Sequence, residues 1–224
     1  MSGDGEHITQ TGDIVLGGGD LPPLVLRTGQ GGGCVQIGPF KDMTVNLGPA
    51  ALAVPGNTTI TNPIGPLSYN PRCLRRDLTD AINRRYANAT SILHTLRQST
   101  IHAFQMTMQG IPGSGDIGIH GGGHYSLGGD PARDVFTSPG DPAFYLHHSM
   151  IDRVWWLWQT ADPTRRIYGD NTISGTHTFL NTPPSANVTF NTEIEMKYIT
   201  NRVVKMRDLM STTAAAGPFC YIYA

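Results

Sequence analysis

Three histidines have the spacing that metal chemistry needs: His120 and His124 in the run IHGGGHY, and His148 in the run GDPAFYLHHSMIDRVWWLWQ. Imidazole binds copper or zinc well near neutral pH, and three such ligands leave a coordination position open for a reactant. His120 and His124 are four residues apart, so a helical turn puts both on one face. A second helix carrying His148 could deliver the third imidazole to the same point. The competing reading of HGGGH is a glycine-rich turn with incidental histidines, because three successive glycines are costly inside a helix. They are tolerated where the backbone must pass close to a packed neighbour or a metal site.

The other histidines carry less context. His7 and His177 lie in polar loops. His94 and His102 sit eight apart in one helical stretch and could share a broad face, but no third histidine follows at comparable spacing. They read as packing or hydrogen-bonding residues.

The positioning elements must come from residues 74–160. Residues 1–70 read as loop, with GGGD at 17–20, QGGGC at 30–34, and Pro22, Pro23, Pro39, Pro49 and Pro55 breaking any helix. Residues 74–110 lack proline, and Ile92, Leu93, Leu96, Ile101, Phe104 and Met108 recur at helical spacing. This predicts a short helix near 76–86, started by Thr79 or Asp77, and a longer one near 88–109, ended by Gly110 and Pro112. Asp141-Pro142 supplies a cap and a first-turn proline for a helix over 142–160. Leu146, Met150, Val154 and Leu157 line one side of it, and the cluster Trp155, Trp156 and Trp158 reads as core packing. Beyond 163, only short strands or extended segments are expected, at 189–199 and in PFCYIYA. The chain reads as one domain over 1–224: 1–73 mostly loop, 74–160 a helical core, 161–224 loops and short strands.

Composition excludes several classes. Only 15% of residues are charged and the net charge is −1, so there is no basic field for nucleic acid. No apolar run is long enough to cross a membrane. Cys34, Cys73 and Cys220 include no CxxC pair, which argues against a thiolate metal site. They are either buried free thiols or disulfide partners in a secreted protein with one left over. Sequons at Asn57, Asn88 and Asn187 point weakly to secretion, whereas residues 1–20 do not look like a signal peptide.

The HxxxH followed by DPAFYLHHSMIDRVWWLWQ resembles the second copper half-site of the tyrosinase and catechol oxidase family. GGGCVQIGPFKDMTVNLGP, NPRCLRRDLTDAI and the stretch from HGGGH onward are similar to its fungal secreted members. Tyr221-Ile222-Tyr223 resembles the tyrosine-x-tyrosine motif that closes their catalytic core. The resemblance implies a mainly α fold, part of a four-helix-bundle dicopper oxidase core with long Gly/Pro-rich loops and a few short strands. It implies copper as cofactor, dioxygen and a phenolic small molecule as reactants, and a quinone as product. In the family the second histidine of the adjacent pair is the ligand. His120, His124 and His148 would then hold copper and serve catalysis, with His147 standing behind them.

Asp152, one turn after His148, could bond a ligand histidine or Arg153, or form an ordinary surface pair. Gly121 follows the first ligand at a position where, in the family, a residue able to orient a water is associated with attack on monophenols. Glycine has no side chain to do this, so catechol oxidation is expected over phenol hydroxylation. Val135 could lie in the loop over the metal. The family's first copper motif has no counterpart in residues 1–90, where His7 is the one histidine. The expectation is therefore an N-terminally incomplete domain with one half-site, little activity alone, and an uncovered apolar helix face prone to self-association. The alternatives are a non-catalytic copper or zinc site, or an oxygen-carrier-like relic. Zinc hydrolysis ranks last, since HGGGH offers no general base where HExxH places a glutamate.

Overall fold

The computed structural model describes residues 13–18, 21–27, 29, 33–55, 58–111, 114–169, 172–198, 201–215 and 217–224; His7 and Pro112 lie outside them. Among the described residues the strands are β1 Ile14–Gly18, β2 Leu21–Leu26, β3 Thr44–Leu47, β4 Leu52–Val54, β5 Thr58–Ile60, β6 Tyr69–Cys73, β7 Glu193–Glu195 and β8 Val203–Lys205. They form antiparallel two-stranded ladders, β1 with β2, β3 with β6, β4 with β5 and β7 with β8. The helices are α1 Asp80–Tyr86, α2 Ala89–Leu96, α3 Ile101–Gln109, α4 Gly118–Leu127, α5 Ala143–Thr160 and α6 Pro163–Arg166. The mainly α reading holds.

The described chain divides into two compact units, one running up to Thr95 and including Met106–Ile151, the other made of Leu96–Gln105 and Asp152–Ala224. In the first, the N-terminal stretch expected to be loop carries β1 to β6. Gly and Pro hide these strands from a periodicity reading, yet Ile14 pairs with Leu26 across the first ladder and both are buried. They pack with Ala53, Ile82, Tyr86 and Ile117, which brings α1 and the start of α4 into one core. A disulfide joins Cys34 to Cys73, while Cys220 is free and exposed. Asp141 caps α5, as expected, by accepting from the Ala143 N–H at 2.8 Å. It also holds the Arg76 guanidinium through two bonds of 2.7 and 2.9 Å. Their side chains are 0% and 4% exposed, so the entry to α5 is fixed by a buried, bidentate ion pair.

The single helix expected over 88–109 is two helices. Thr100 Oγ1 accepts from the Ala103 N–H at 3.2 Å, an N-cap that starts α3, just as Asn88 Oδ1 caps α2 through the Ser91 N–H at 3.0 Å. Ile101, Phe104 and Met108 are buried as expected, but Leu93 is exposed. In the second unit Trp158 stacks on Phe104 at 4.6 Å, with Trp155 edge-on to the same ring at 5.3 Å. The Trp158 indole N–H donates to the Gln98 carbonyl at 2.7 Å. Core packing therefore accounts for Trp158, while Trp155 and Trp156 are half-buried. On α5, Val154 is buried, but Leu146 (77% exposed), Met150 and Leu157 remain in solvent. The segment 189–199 contributes β7, whereas PFCYIYA runs without a ladder. No described helix is long and apolar enough to cross a membrane.

Candidate metal centre

HGGGH is helical: it forms the middle of α4. Gly118 starts the helix at φ +60°, a conformation open to glycine, and its N–H bonds Asp116 Oδ1 at 2.8 Å. The next glycines make space. A Cβ on Gly122 would stand 2.7 Å from the Tyr86 Cβ, so glycine there lets α1 and α4 approach. A Cβ on Gly123 would stand 2.1 Å from Cε1 of His147. The cost of three glycines in a helix is thus offset by close packing against α1 and against a histidine of α5.

His120, His124, His147 and His148 lie together in the first unit, each offering a ligand atom within 4.8 Å of the others. Their orientation is set by hydrogen bonds. His124 Nδ1 faces the Ala132 carbonyl at 3.0 Å. A carbonyl only accepts, so Nδ1 carries the proton and Nε2 presents a lone pair. His120 Nδ1 faces Gln109 Oε1 at 2.7 Å, and its buried Nε2 has no partner. His148 Nε2 sits 3.1 Å from His124 Nε2, and its ring stacks on Phe144 at a centroid distance of 3.9 Å. His147 differs: its Nε2 donates to the His120 carbonyl at 2.9 Å, which leaves only Nδ1 as an acceptor.

The four imidazoles are kept neutral. Burial, and then the neighbouring histidines, pull His120 down from 6.5 to about 3. Burial foremost takes His147 to about 4, and burial also lowers His124 and His148. Neutral imidazole is the ligand form. An orphaned buried nitrogen, two facing ring nitrogens and an all-imidazole donor set fit a borderline metal such as copper or zinc.

The remaining expected residues are less central. Val135 stands exposed on the segment whose Ala132 carbonyl holds His124. Gly121 lies in α4 between the two ligand candidates, and a Cβ there would meet Ile117 Cβ at 3.0 Å. Asp152 bonds neither a histidine nor Arg153 among the described residues; it accepts the hydroxyls of Tyr221 and Tyr223, while Arg153 donates to the Ala224 carbonyl at 2.7 Å. The C-terminal tyrosines compete for its carboxylate because their segment packs along α5. His102 is exposed and near Ser174, and His94 and His177 are exposed on separate elements. Gln109 and Phe144 were missed in the sequence. An amide eleven residues before a histidine carries no periodic signal, whereas Phe144, one turn before His148, could have been found from helical spacing.

A family model described as the common central domain of tyrosinase matches residues 1–161. Tyrosinase P of Aspergillus terreus is 40% identical over 224 residues, covering 100% of this chain and 60% of that protein. The N-acetyl-6-hydroxytryptophan oxidase ivoB of Emericella nidulans is 37% identical over 234 residues, with the same coverage of each. A solved polyphenol oxidase variant from Thermothelomyces thermophila matches with a TM-score of 0.84 at 39% identity, covering 99% of this chain and 59% of that one. The chain spans about 60% of the length of these relatives. The structural likeness agrees with the mainly α oxidase core expected from the sequence.

Proposed function

The chain belongs to the tyrosinase family, and we propose that His120, His124 and His148 hold one copper of an oxidase that converts o-diphenols to quinones with dioxygen. The observation that carries the assignment is the convergence of three Nε2 atoms: His120 Nε2 is buried without a partner, and His124 Nε2 lies 3.1 Å from His148 Nε2. His147 stands outside the triad because its Nε2 is engaged with the His120 carbonyl. Bound copper supplies the electron transfer between phenol and dioxygen. The chain's own residues do the rest. Gln109 and the Ala132 carbonyl hold the Nδ1 protons of His120 and His124, which fixes the tautomer and aims both rings. Phe144 covers one face of His148, and burial keeps protons off the ligand nitrogens.

Gly121 has no side chain to orient a water beside the first ligand, which supports diphenol oxidation over monophenol attack. Residues 1–224 act as one tyrosinase-like domain carrying the second copper half-site. The exposed Leu146, Met150 and Leu157 form an apolar face of α5 suited to packing against a first copper half-site, or to self-association. The Cys34–Cys73 disulfide supports a secreted protein. The rival reading, a non-catalytic single-metal protein, is favoured by one fact: among the described residues this is the one histidine group able to hold an ion.

Copper bound per folded chain, with His148→Ala as control, tests the assignment. One copper, lost in the variant, is expected, with oxygen uptake on catechol no faster than free copper gives. Catechol turnover by the lone chain would refute the half-site reading, and copper retained by His148→Ala would refute the ligand set.

A further inference from the structure

The second unit contains a cavity of about 360 Å³, walled by Trp155, Trp156, Phe219, Tyr221 and Met206. All of its lining belongs to that unit, so the histidines take no part in it. Its size and largely apolar wall suit a small organic molecule. Asp152 is the one charged residue in the described lining. Its Oδ2 accepts the Tyr221 hydroxyl at 2.7 Å and the Tyr223 hydroxyl at 2.5 Å. Burial, and then the bond to Asp152, push Tyr223 up to about 12 and Tyr221 higher still. Both tyrosines are therefore neutral donors at physiological pH. They orient the carboxylate without cancelling its charge. Among the described residues no cation forms an ion pair with Asp152.

An oriented, unneutralised carboxylate beside two indoles, a phenyl ring and a phenol has a defined preference. The ring faces are negative in their quadrupole and attract a cation, and the carboxylate adds a full charge at the same place. An anionic ligand would be repelled, and a neutral one would gain nothing from the charge. We propose that this cavity binds a small organic ammonium ion with an apolar or aromatic body, its charge against Asp152 and its body among Trp155, Trp156, Phe219 and Tyr221.

The wall provides its own probe. Trp155 and Trp156 are two of the three tryptophans of the chain, and the third, Trp158, is buried against Phe104. Phenethylammonium titrated into the full chain at pH 7 should quench tryptophan fluorescence saturably. Its neutral counterpart 2-phenylethanol should bind roughly tenfold more weakly. Asp152→Asn should bring the two ligands to equal affinity. Because Asp152→Asn also weakens the anchor of the C-terminal tyrosines, Thr212→Lys serves as a second variant. It sets a rival ammonium at the cavity wall and should reduce phenethylammonium binding roughly tenfold while far-ultraviolet circular dichroism is unchanged. No saturation, or equal affinity of the wild-type chain for the cation and the neutral alcohol, overturns the proposal.

Discussion

Replacing Gly123 by alanine separates two accounts of HGGGH. Judged by helix propensity alone, alanine should stabilise α4 by about 1 kcal/mol. The geometry predicts the opposite sign. The added Cβ would lie 2.1 Å from Cε1, 2.3 Å from Nδ1 and 2.6 Å from Nε2 of His147. To restore ordinary contact the ring must retreat by about 1.3 Å. That retreat gives up the bond from His147 Nε2 to the His120 carbonyl, worth about 0.5–1.5 kcal/mol. Overpacking adds about 1–3 kcal/mol. Set against the gain in propensity, the net effect is a loss of about 0.5–3.5 kcal/mol, which lowers the Tm of a chain this size by roughly 1–14 °C. Copper binding should weaken with it, since His147 lies against the residue that carries the first ligand. Gly121→Ala, whose Cβ meets only the Ile117 side chain, at 3.0 Å from its Cβ, should cost less. The assay is thermal unfolding of both variants without metal, followed by copper bound per chain. A Gly123→Ala protein with a raised Tm and undiminished copper would refute the packing account.

Three further outcomes follow from the same geometry. Gln109→Leu removes the acceptor of the His120 Nδ1 proton, so copper affinity measured against a competing chelator should fall roughly 10–100-fold with little change in stability; an unchanged affinity would mean that His120 is oriented by something else. Asp141→Asn breaks the buried pair with Arg76 and should lower stability by about 3–5 kcal/mol in urea unfolding, and a loss under 1 kcal/mol would show the pair to be dispensable. His120 and His147 are held at about 3 and about 4, by burial first, against about 6.5 in the unfolded chain. A depressed imidazole stabilises the fold above its unfolded value and loses that contribution as pH falls through the folded one. The urea midpoint of the metal-free protein should therefore decline between pH 6.5 and 4, and a flat profile would contradict buried neutral histidines.

The ligand candidates were legible because a metal site needs particular residue types at fixed helical offsets. His120 and His124 share a face of any helix, and α5 was announced by Asp141-Pro142 ahead of an amphipathic stretch free of glycine and proline. Other features depend on contacts between distant segments, and local periodicity cannot report those. The split at Thr100 turned on a hydroxyl cap inside a run that otherwise reads as one helix. The N-terminal hairpins are three to six residues a strand and interrupted by Gly and Pro. The partners of Asp152 lie 69 and 71 residues away, which is why a local pair with Arg153 looked natural from the sequence and is not what forms.

The hydrogen bonds behind the histidines also say how much of the site exists before any metal arrives. The Ala132 carbonyl and Gln109 fix two tautomers from outside the cluster, and neither depends on an ion. The price is an orphan: a buried ring nitrogen without a partner costs about 1–3 kcal/mol, and His120 Nε2 is one. A fold that keeps such an atom carries strain that a ligand to that nitrogen relieves. Copper should therefore raise stability by an amount set by its affinity for the folded chain, and His120→Leu, which deletes the orphan, should leave the metal-free protein at least as stable as the wild type. If that variant is instead clearly less stable without metal, His120 is a structural residue and the cluster is not preorganised for an ion.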